Sequence, residues 1–328
     1  MNIKRNTSVD YAKYIAAILV VAIHTAPLTE ISAEVNFFLT NILCRIAVPF
    51  FAVCTGYYLT NAIITQKHLK PIIRIIKKIV YMYVKWSLLY LVIHLINWSK
   101  NEDIDTIIHY TIGWCKSFFY SASYYHLWYL ISLIYALIAF YIIIKYIHTK
   151  YFPHIVIVLW ILEVLEYGYY SFLPINIQYY FNLLYKSGNL LTALTRILPL
   201  LMVGTLIAKS NFHKYYRIGT IVSFICLIIE VYFIRNIGGK RFSFIIFTLP
   251  LAYFLFINIL HIHSYTKNNN SKKFADLSML IYCLHPAIIW ILKEICIIPP
   301  FIIFIVTCII CTIIGYLFYS KSSKRRVC

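Results

Sequence analysis

Lys13 and His24 stand eleven residues apart in an apolar run near the start of the chain. At about 100° per residue, that spacing is three helical turns plus about 20°, so both side chains share one helix face about 16 Å apart in height. Asp10, one turn below Lys13, lies near the same face and can neutralise it. A second apolar run carries Arg45 in Arg45-Ile46-Ala47-Val48-Pro49-Phe50-Phe51, followed by Thr55-Gly56-Tyr57. Counted from the opposite end of its helix, Arg45 is about 13 Å deep, and His24 climbs to a similar level from the other side. An imidazole whose ordinary pKa is near 6.5 suits a general base. A guanidinium suits a developing oxyanion or an anionic substrate group. A base beside a cation can take a proton and hold the negative charge that develops, so His24, Arg45, Lys13 and Asp10 are the candidate catalytic residues. The bland readings stand beside this one. Lys13 can reach the headgroups along its alkyl stem, His24 can bond a neighbouring carbonyl, and Arg45 can be architectural, paired with a carbonyl or with a carboxylate such as Glu230.

Three further groups carry polar chemistry. Arg74, Lys77 and Lys78 fall where a helix begins, and their charge together with the helix dipole suits the phosphates of a nucleotide-bearing donor. The same three residues also serve as a topology signal. His126 and Trp128 sit beside an aromatic-rich segment, where a ring face can stack on a sugar or anchor the chain at the headgroups. His285 is followed by Pro286, so local backbone groups need partners, and the imidazole can supply one or join a substrate site. Cys308 and Cys311 form a C-x-x-C within an apolar run that has no second pair, and most of the nine cysteines lie in predicted spans. That pattern argues against a metal site or a disulfide framework.

The elements that must position these residues are membrane helices. Of 328 residues, 62% are hydrophobic and 12% charged, against about 25% charged in an average soluble domain. Each crossing needs about 20 apolar residues, and the apolar runs place spans near 9–27, 36–59, 72–97, 127–146, 153–171, 190–208, 218–235, 242–262, 275–296 and 299–319. The reading is all-α, a polytopic bundle of about ten transmembrane helices in a single integral-membrane domain over 1–328. The segment 98–126 is read as an outer loop with an interfacial helix that roofs a cavity. With a cytoplasmic N-terminus, nineteen Lys and Arg fall in inside segments, against seven outside, namely Lys100, Lys116, Lys186, Arg235, Lys240, Arg241 and Lys293. That bias puts both termini in the cytoplasm. Arg235, Lys240 and Arg241 are the misfit. The net charge of +19 resides in short clusters between apolar runs, which excludes a nucleic-acid module. The first run carries Asp10 and Lys13 and is followed by nine more, so it is read as an anchor rather than a cleaved signal.

Four segments, in order, resemble the membrane acyltransferase-3 family. They are Val9-Asp10-Tyr11-Ala12-Lys13 through Val20-Val21-Ala22-Ile23-His24, the Arg45 to Gly56 stretch, His126-Leu127-Trp128-Tyr129-Leu130, and Leu277-Ser278-Met279-Leu280-Ile281-Tyr282-Cys283-Leu284-His285-Pro286. The resemblance covers nearly the whole chain, and its first part is especially similar to the membrane domain of vancomycin-resistance-type serine racemases. The family's basic residue, ten residues, then His appears as Lys13 to His24, with Lys where Arg is usual. Its Arg-x-x-Arg appears as Arg74-Ile75-Ile76-Lys77. The loss of the guanidinium fork at these positions weakens any two-point anion contact. Neither a soluble racemase domain nor a periplasmic SGNH domain is expected.

The resemblance implies an enzyme that transfers an acyl group, usually acetyl from cytoplasmic acetyl-CoA, to hydroxyls of cell-surface carbohydrates or related acceptors. It further implies that the donor is a substrate rather than a tightly bound cofactor, that the partners are the lipid bilayer, acyl-CoA and a surface glycan, and that the location is a bacterial cytoplasmic membrane. A donor channel is then expected between the cytoplasmic ends of spans one and three, with Arg74, Lys77 and Lys78 on the phosphates. The acceptor would arrive below the aromatic segment 114–128. The competing class is a permease or exporter for a small polar solute, which intramembrane charges also suit but for which no inverted repeat is seen.

Overall fold

The computed structural model describes residues 6–100, 102–185, 188–210, 214–262, 271–295 and 297–324. Every regular element among them is helical. Of the charges weighed for sidedness, Lys4, Arg5, Lys186, Lys267, Arg325 and Arg326 lie outside the described residues. The chain forms α1 (Thr7–Thr25), α2 (Ala33–Phe38), α3 (Ala47–Gln66), α4 (Lys70–Ser99), α5 (Ile104–Tyr120), α6 (Trp128–Tyr146) and α7 (Phe152–Glu163). It continues through α8 (Ile175–Tyr185), α9 (Asn189–Thr192), α10 (Leu198–Lys209), α11 (Tyr216–Asn236), α12 (Thr248–His261), α13 (Ser271–Ile295) and α14 (Pro300–Lys324). Nine helical stretches among the described residues are long and apolar enough to cross a bilayer, and α12 is a shorter apolar helix within the eighth expected span. The chain is a multi-pass membrane protein of helices, the one open segment type that satisfies its own backbone groups in hydrocarbon.

Local signals fix the helix ends. Pro71, Pro153 and Pro199 stand in the first turns of α4, α7 and α10, where a missing N–H costs nothing. The Asn6 side chain caps α1 by accepting from the Ser8 and Val9 amides at 3.0 and 3.3 Å. Asp103 caps α5 by accepting from the Thr106 amide at 2.9 Å. Three spans depart from α geometry. A π turn at Leu39–Leu43 and a 3-10 turn at Cys44–Ile46 lead into α3, π turn Val164–Gly168 extends α7, and π turn Ala193–Ile197 joins α9 to α10. Such turns re-aim side chains and recur at functional sites.

The chain divides into two compact units, one built on residues 52–211 and 244–246, the other on 2–51, 212–243 and 247–328. In the second unit, α1 packs on α13 and α14 through a core of Ala17, Val21, Leu277, Ile281, Ile288 and Cys311. Ser8 Oγ and Asn6 Nδ2 donate to the Ile262 and Leu260 carbonyls at 2.6 and 3.1 Å, which ties the start of α1 to the end of α12. The sidedness misfit Arg235 is neutralised here. Its two terminal nitrogens each lie 2.6 Å from a carboxylate oxygen of Glu34, and its guanidinium lies 4.1 Å from the centre of the Phe37 ring. One end of this unit thus holds both the chain after α1 and the end of α11.

In the first unit, α3 and α10 meet at backbone distance. A Cβ on Gly56 would fall 2.1 Å from the Leu201 carbonyl oxygen, and one on Gly204 would fall 2.2 Å from that of Val53. Small residues at such a crossing replace the hydrophobic drive that lipid cannot supply. Thr60 and Thr205 hydrogen-bond beside it at 2.9 Å. Midway along α4, the Tyr83 hydroxyl donates to the Phe118 carbonyl at 2.5 Å and accepts from the Ser123 amide at 3.2 Å, which pins the end of α5 and the segment after it to α4.

Candidate active site

The last turn of α1 brings His24 onto His285 of α13, although the two are far apart in sequence. Their rings are stacked, with centroids 5.2 Å apart and planes 27° from parallel. His285 is fully buried. Its Nδ1 lies 3.0 Å from the Ile281 carbonyl, a contact that places the proton on Nδ1 in the neutral ring and leaves Nε2 as an acceptor. Pro286, inside the same helix, has no N–H to offer the Tyr282 carbonyl.

Arg45 completes the group from the 3-10 turn before α3, a turn that packs against α1. Its Nη2 donates to Asn41 Oδ1 at 3.4 Å, while its Nε is buried and has no acceptor among the described residues. A buried guanidinium N–H without an acceptor is costly and is available to an anionic oxygen. Glu230, the carboxylate weighed for an architectural role of Arg45, accepts from the Phe247 amide at 2.9 Å. Lys13 and Asp10 lie on the same unbroken α1, Asp10 buried and Lys13 half-buried. Three turns of helix separate Lys13 from His24, so the stripe exists, but the histidine stack and Arg45 form the cluster at its upper end.

The remaining candidates lie in the other unit. Arg74, Lys77 and Lys78 are all exposed in the first turns of α4, spaced i, i+3 and i+4 and so on one face. His126 is buried, with Tyr90, Tyr124 and Tyr125 packed around its ring at 4.8, 5.7 and 5.6 Å. Trp128 belongs to a cluster that reasoning from spans one, two and nine leaves out. Arg196, in π turn Ala193–Ile197, donates from Nε to Glu163 Oε1 at 2.7 Å, and Thr195 donates to Oε2 at 2.7 Å. The guanidinium lies 4.4, 4.5 and 5.5 Å from the ring centres of Phe244, Tyr167 and Trp128, so one face of Trp128 is committed to a cation–π contact. The signal for Glu163 and Arg196 was their charge inside apolar runs. Among the described residues no group of three or more His, Cys, Asp and Glu is placed to hold a metal.

A family model described as an acyltransferase domain matches residues 6–320. The chain belongs to the acyltransferase-3 family. An acyltransferase domain therefore contains the His24–His285–Arg45 cluster, the α4 cations and the Glu163–Arg196 pair alike. This acyltransferase-3 chain is 30% identical over 270 residues to a protein named amino-acid racemase from Enterococcus faecalis, covering 78% of this chain and 36% of that one. A second amino-acid racemase from the same organism is 26% identical, with 89% and 42% covered. A serine/alanine racemase from Enterococcus gallinarum is 25% identical, with 86% and 40% covered. The acyltransferase-3 chain thus spans about two-fifths of the length of the curated relatives it matches. No solved structure matches it.

Proposed function

We propose that the protein is a membrane O-acyltransferase, moving an acyl group, acetyl in the simplest case, from cytoplasmic acyl-CoA to a hydroxyl of a cell-surface carbohydrate or related acceptor. The observation that carries this reading is the His24–His285 stack with Arg45 at hand, inside a stretch matched as an acyltransferase domain. In this reading a ring nitrogen of His24 takes the acceptor's hydroxyl proton as its oxygen attacks the thioester carbonyl. Arg45 donates to the oxygen that becomes negative. Collapse of the intermediate breaks the C–S bond, and the proton passes from His24 to the leaving thiolate, so an ester and free CoA are the products. His285 steadies the His24 ring as a positioning residue. Arg74, Lys77 and Lys78 hold the donor's phosphates, with acyl-CoA acting as a substrate and no cofactor permanently bound.

The test is transfer of radiolabelled acetyl-CoA by the purified protein in lipid nanodiscs, paired with mass spectrometry of surface glycans from cells with and without it. The expected result is release of CoA and a gain of one acyl mass on a glycan. CoA release absent in vitro, together with identical glycan masses, overturns the reading. The double variant Arg74→Ala/Lys77→Ala should raise KM for the donor with a smaller effect on the acceptor.

A further inference from the structure

Between the end of α4 and α5 lies an open cleft of about 410 Å³, within the 300–1,000 Å³ typical of small-ligand sites. None of the groups the proposed transfer uses lines it. We infer that this cleft is a binding site for a neutral sugar ring. As the place where the acceptor is held, it rests on the acyl-transfer reading. As a sugar site, it stands by itself.

Three properties of the cleft select that ligand. Its walls are aromatic. His94 and Trp98, one turn apart on α4, lie with ring centroids 5.1 Å apart and planes 20° from parallel, and Trp98 meets Tyr110 of α5 at 5.6 Å. Flat faces of this kind take the C–H face of a pyranose, while the hydroxyls at the ring's edge turn toward polar tips. Those tips are present as the His94 and His109 rings and the Ser117 hydroxyl. No Lys, Arg, Asp or Glu is among the lining residues, even though the chain carries a net charge of +19. A phosphate or carboxylate ligand would find no counter-ion here, and a trimethylammonium group would leave the serine and histidine groups unused.

The cleft is also held in shape in the absence of ligand. Trp114 Nε1 donates to the Ser123 carbonyl at 3.0 Å, Ser87 and Ser123 share a hydroxyl hydrogen bond of 2.5 Å, and Tyr124 stacks on Tyr90 at 4.2 Å. Walls fixed in advance spare a ligand the cost of ordering them. Helix α5 presents two unlike faces. Ile104, Ile108, Ile112 and Phe119 are exposed and fall within about 80° of the helix circumference, while Tyr110, Gly113 and Ser117 point about 170° away into the cleft. An apolar stripe on one side and a ring-and-hydroxyl surface on the other suit a helix with lipid behind it and the ligand in front. Gly113 keeps the floor open, because a Cβ built there meets no atom within 4 Å.

That last fact supplies a clean test. Gly113→Trp places an indole in the cleft from a Cβ that itself meets no atom within 4 Å, and its thermal unfolding in detergent should match the parent. Saturation-transfer NMR on the full chain in nanodiscs would use glucose, galactose and N-acetylglucosamine, with glucuronate and phosphocholine as charged comparisons. The parent should bind neutral sugars in preference to both charged probes. Gly113→Trp and Trp98→Ala should each weaken that binding at least tenfold, and Gly113→Ala should retain it. Equal sugar binding in Gly113→Trp and Trp98→Ala, preference for phosphocholine or glucuronate, or no sugar binding by the parent each overturns the proposal. The two readings separate cleanly. Sugar binding without any acyl transfer defeats the acyl-transfer reading, and the acceptor role with it, but leaves the sugar site. Acyl transfer unaffected by a filled cleft that no longer binds sugar defeats the acceptor role alone.

Discussion

At the level of single residues, the site rests on two imidazoles and a guanidinium held inside a lipid-embedded unit. Charge at membrane depth was enough to pick out His24, Arg45 and His285 from the sequence. Their association was not legible there, because ring stacking between residues some 260 positions apart leaves no trace in local spacing. The same limit hid the partners of Arg196, whose carboxylate lies on a different span. If His24 is the base, His24→Ala should lower turnover by about 10² to 10⁴ while the protein remains folded in detergent. Arg45→Lys should be strongly impaired although its charge is kept, since Lys lacks the planar fork. Near-parental turnover in folded His24→Ala would remove the assignment, and unchanged kinetics in Arg45→Lys would reduce that residue to a structural charge. The Glu163–Arg196 pair should behave differently. Removing one partner leaves a buried charge uncompensated, so Glu163→Gln should cost about 3 to 5 kcal/mol, whereas Glu163→Gln combined with Arg196→Met should recover much of it. Thermal unfolding in detergent reads this out, and a double variant as unstable as the single one would show that the pair is not coupled in this way.

At the level of elements, run length and breakers located most of the spans to within a few residues, because crossing a bilayer imposes a length that composition cannot disguise. The π and 3-10 turns escaped detection. A turn with one extra residue keeps the same apolar composition as the α-helix around it, and only tertiary packing decides where it falls. The eighth span starts later than its apolar run, at Thr248, because the Glu230 carboxylate takes the Phe247 amide where the helix begins. The α3–α10 crossing depends on two glycines that the sequence displays without explaining. Gly204→Leu places carbon within 2.2 Å of the Val53 carbonyl oxygen and 2.6 Å of the Tyr57 nitrogen, so the helices must separate. The expected loss is at least about 1 to 3 kcal/mol, seen as a lowered unfolding temperature in detergent. Unchanged stability would mean that the crossing is not close-packed.

At the level of the whole molecule, the positive-inside bias predicts sidedness, with Arg235, Lys240 and Arg241 as its misfit, of which Arg235 is paired with Glu34. Cysteine scanning decides the matter within one unit. Glu30→Cys, exposed after α1, should react with a membrane-impermeant maleimide in intact cells, whereas Lys272→Cys, exposed at the start of α13, should react only after permeabilisation. The reverse pattern would invert the topology. The union of α1 with α13 also has a consequence in time. A ribosome adding about 5 to 20 residues per second releases His24 into the membrane about 13 to 50 seconds before His285 exists. Throughout that interval the first helix waits among the growing set of spans without the helix that packs most closely against it. A nascent chain that stalls before α13 would leave α1 inserted and its face of small residues, Ala17 and Val21, without the partner it was shaped for, which is the kind of surface a membrane quality-control protease can recognise.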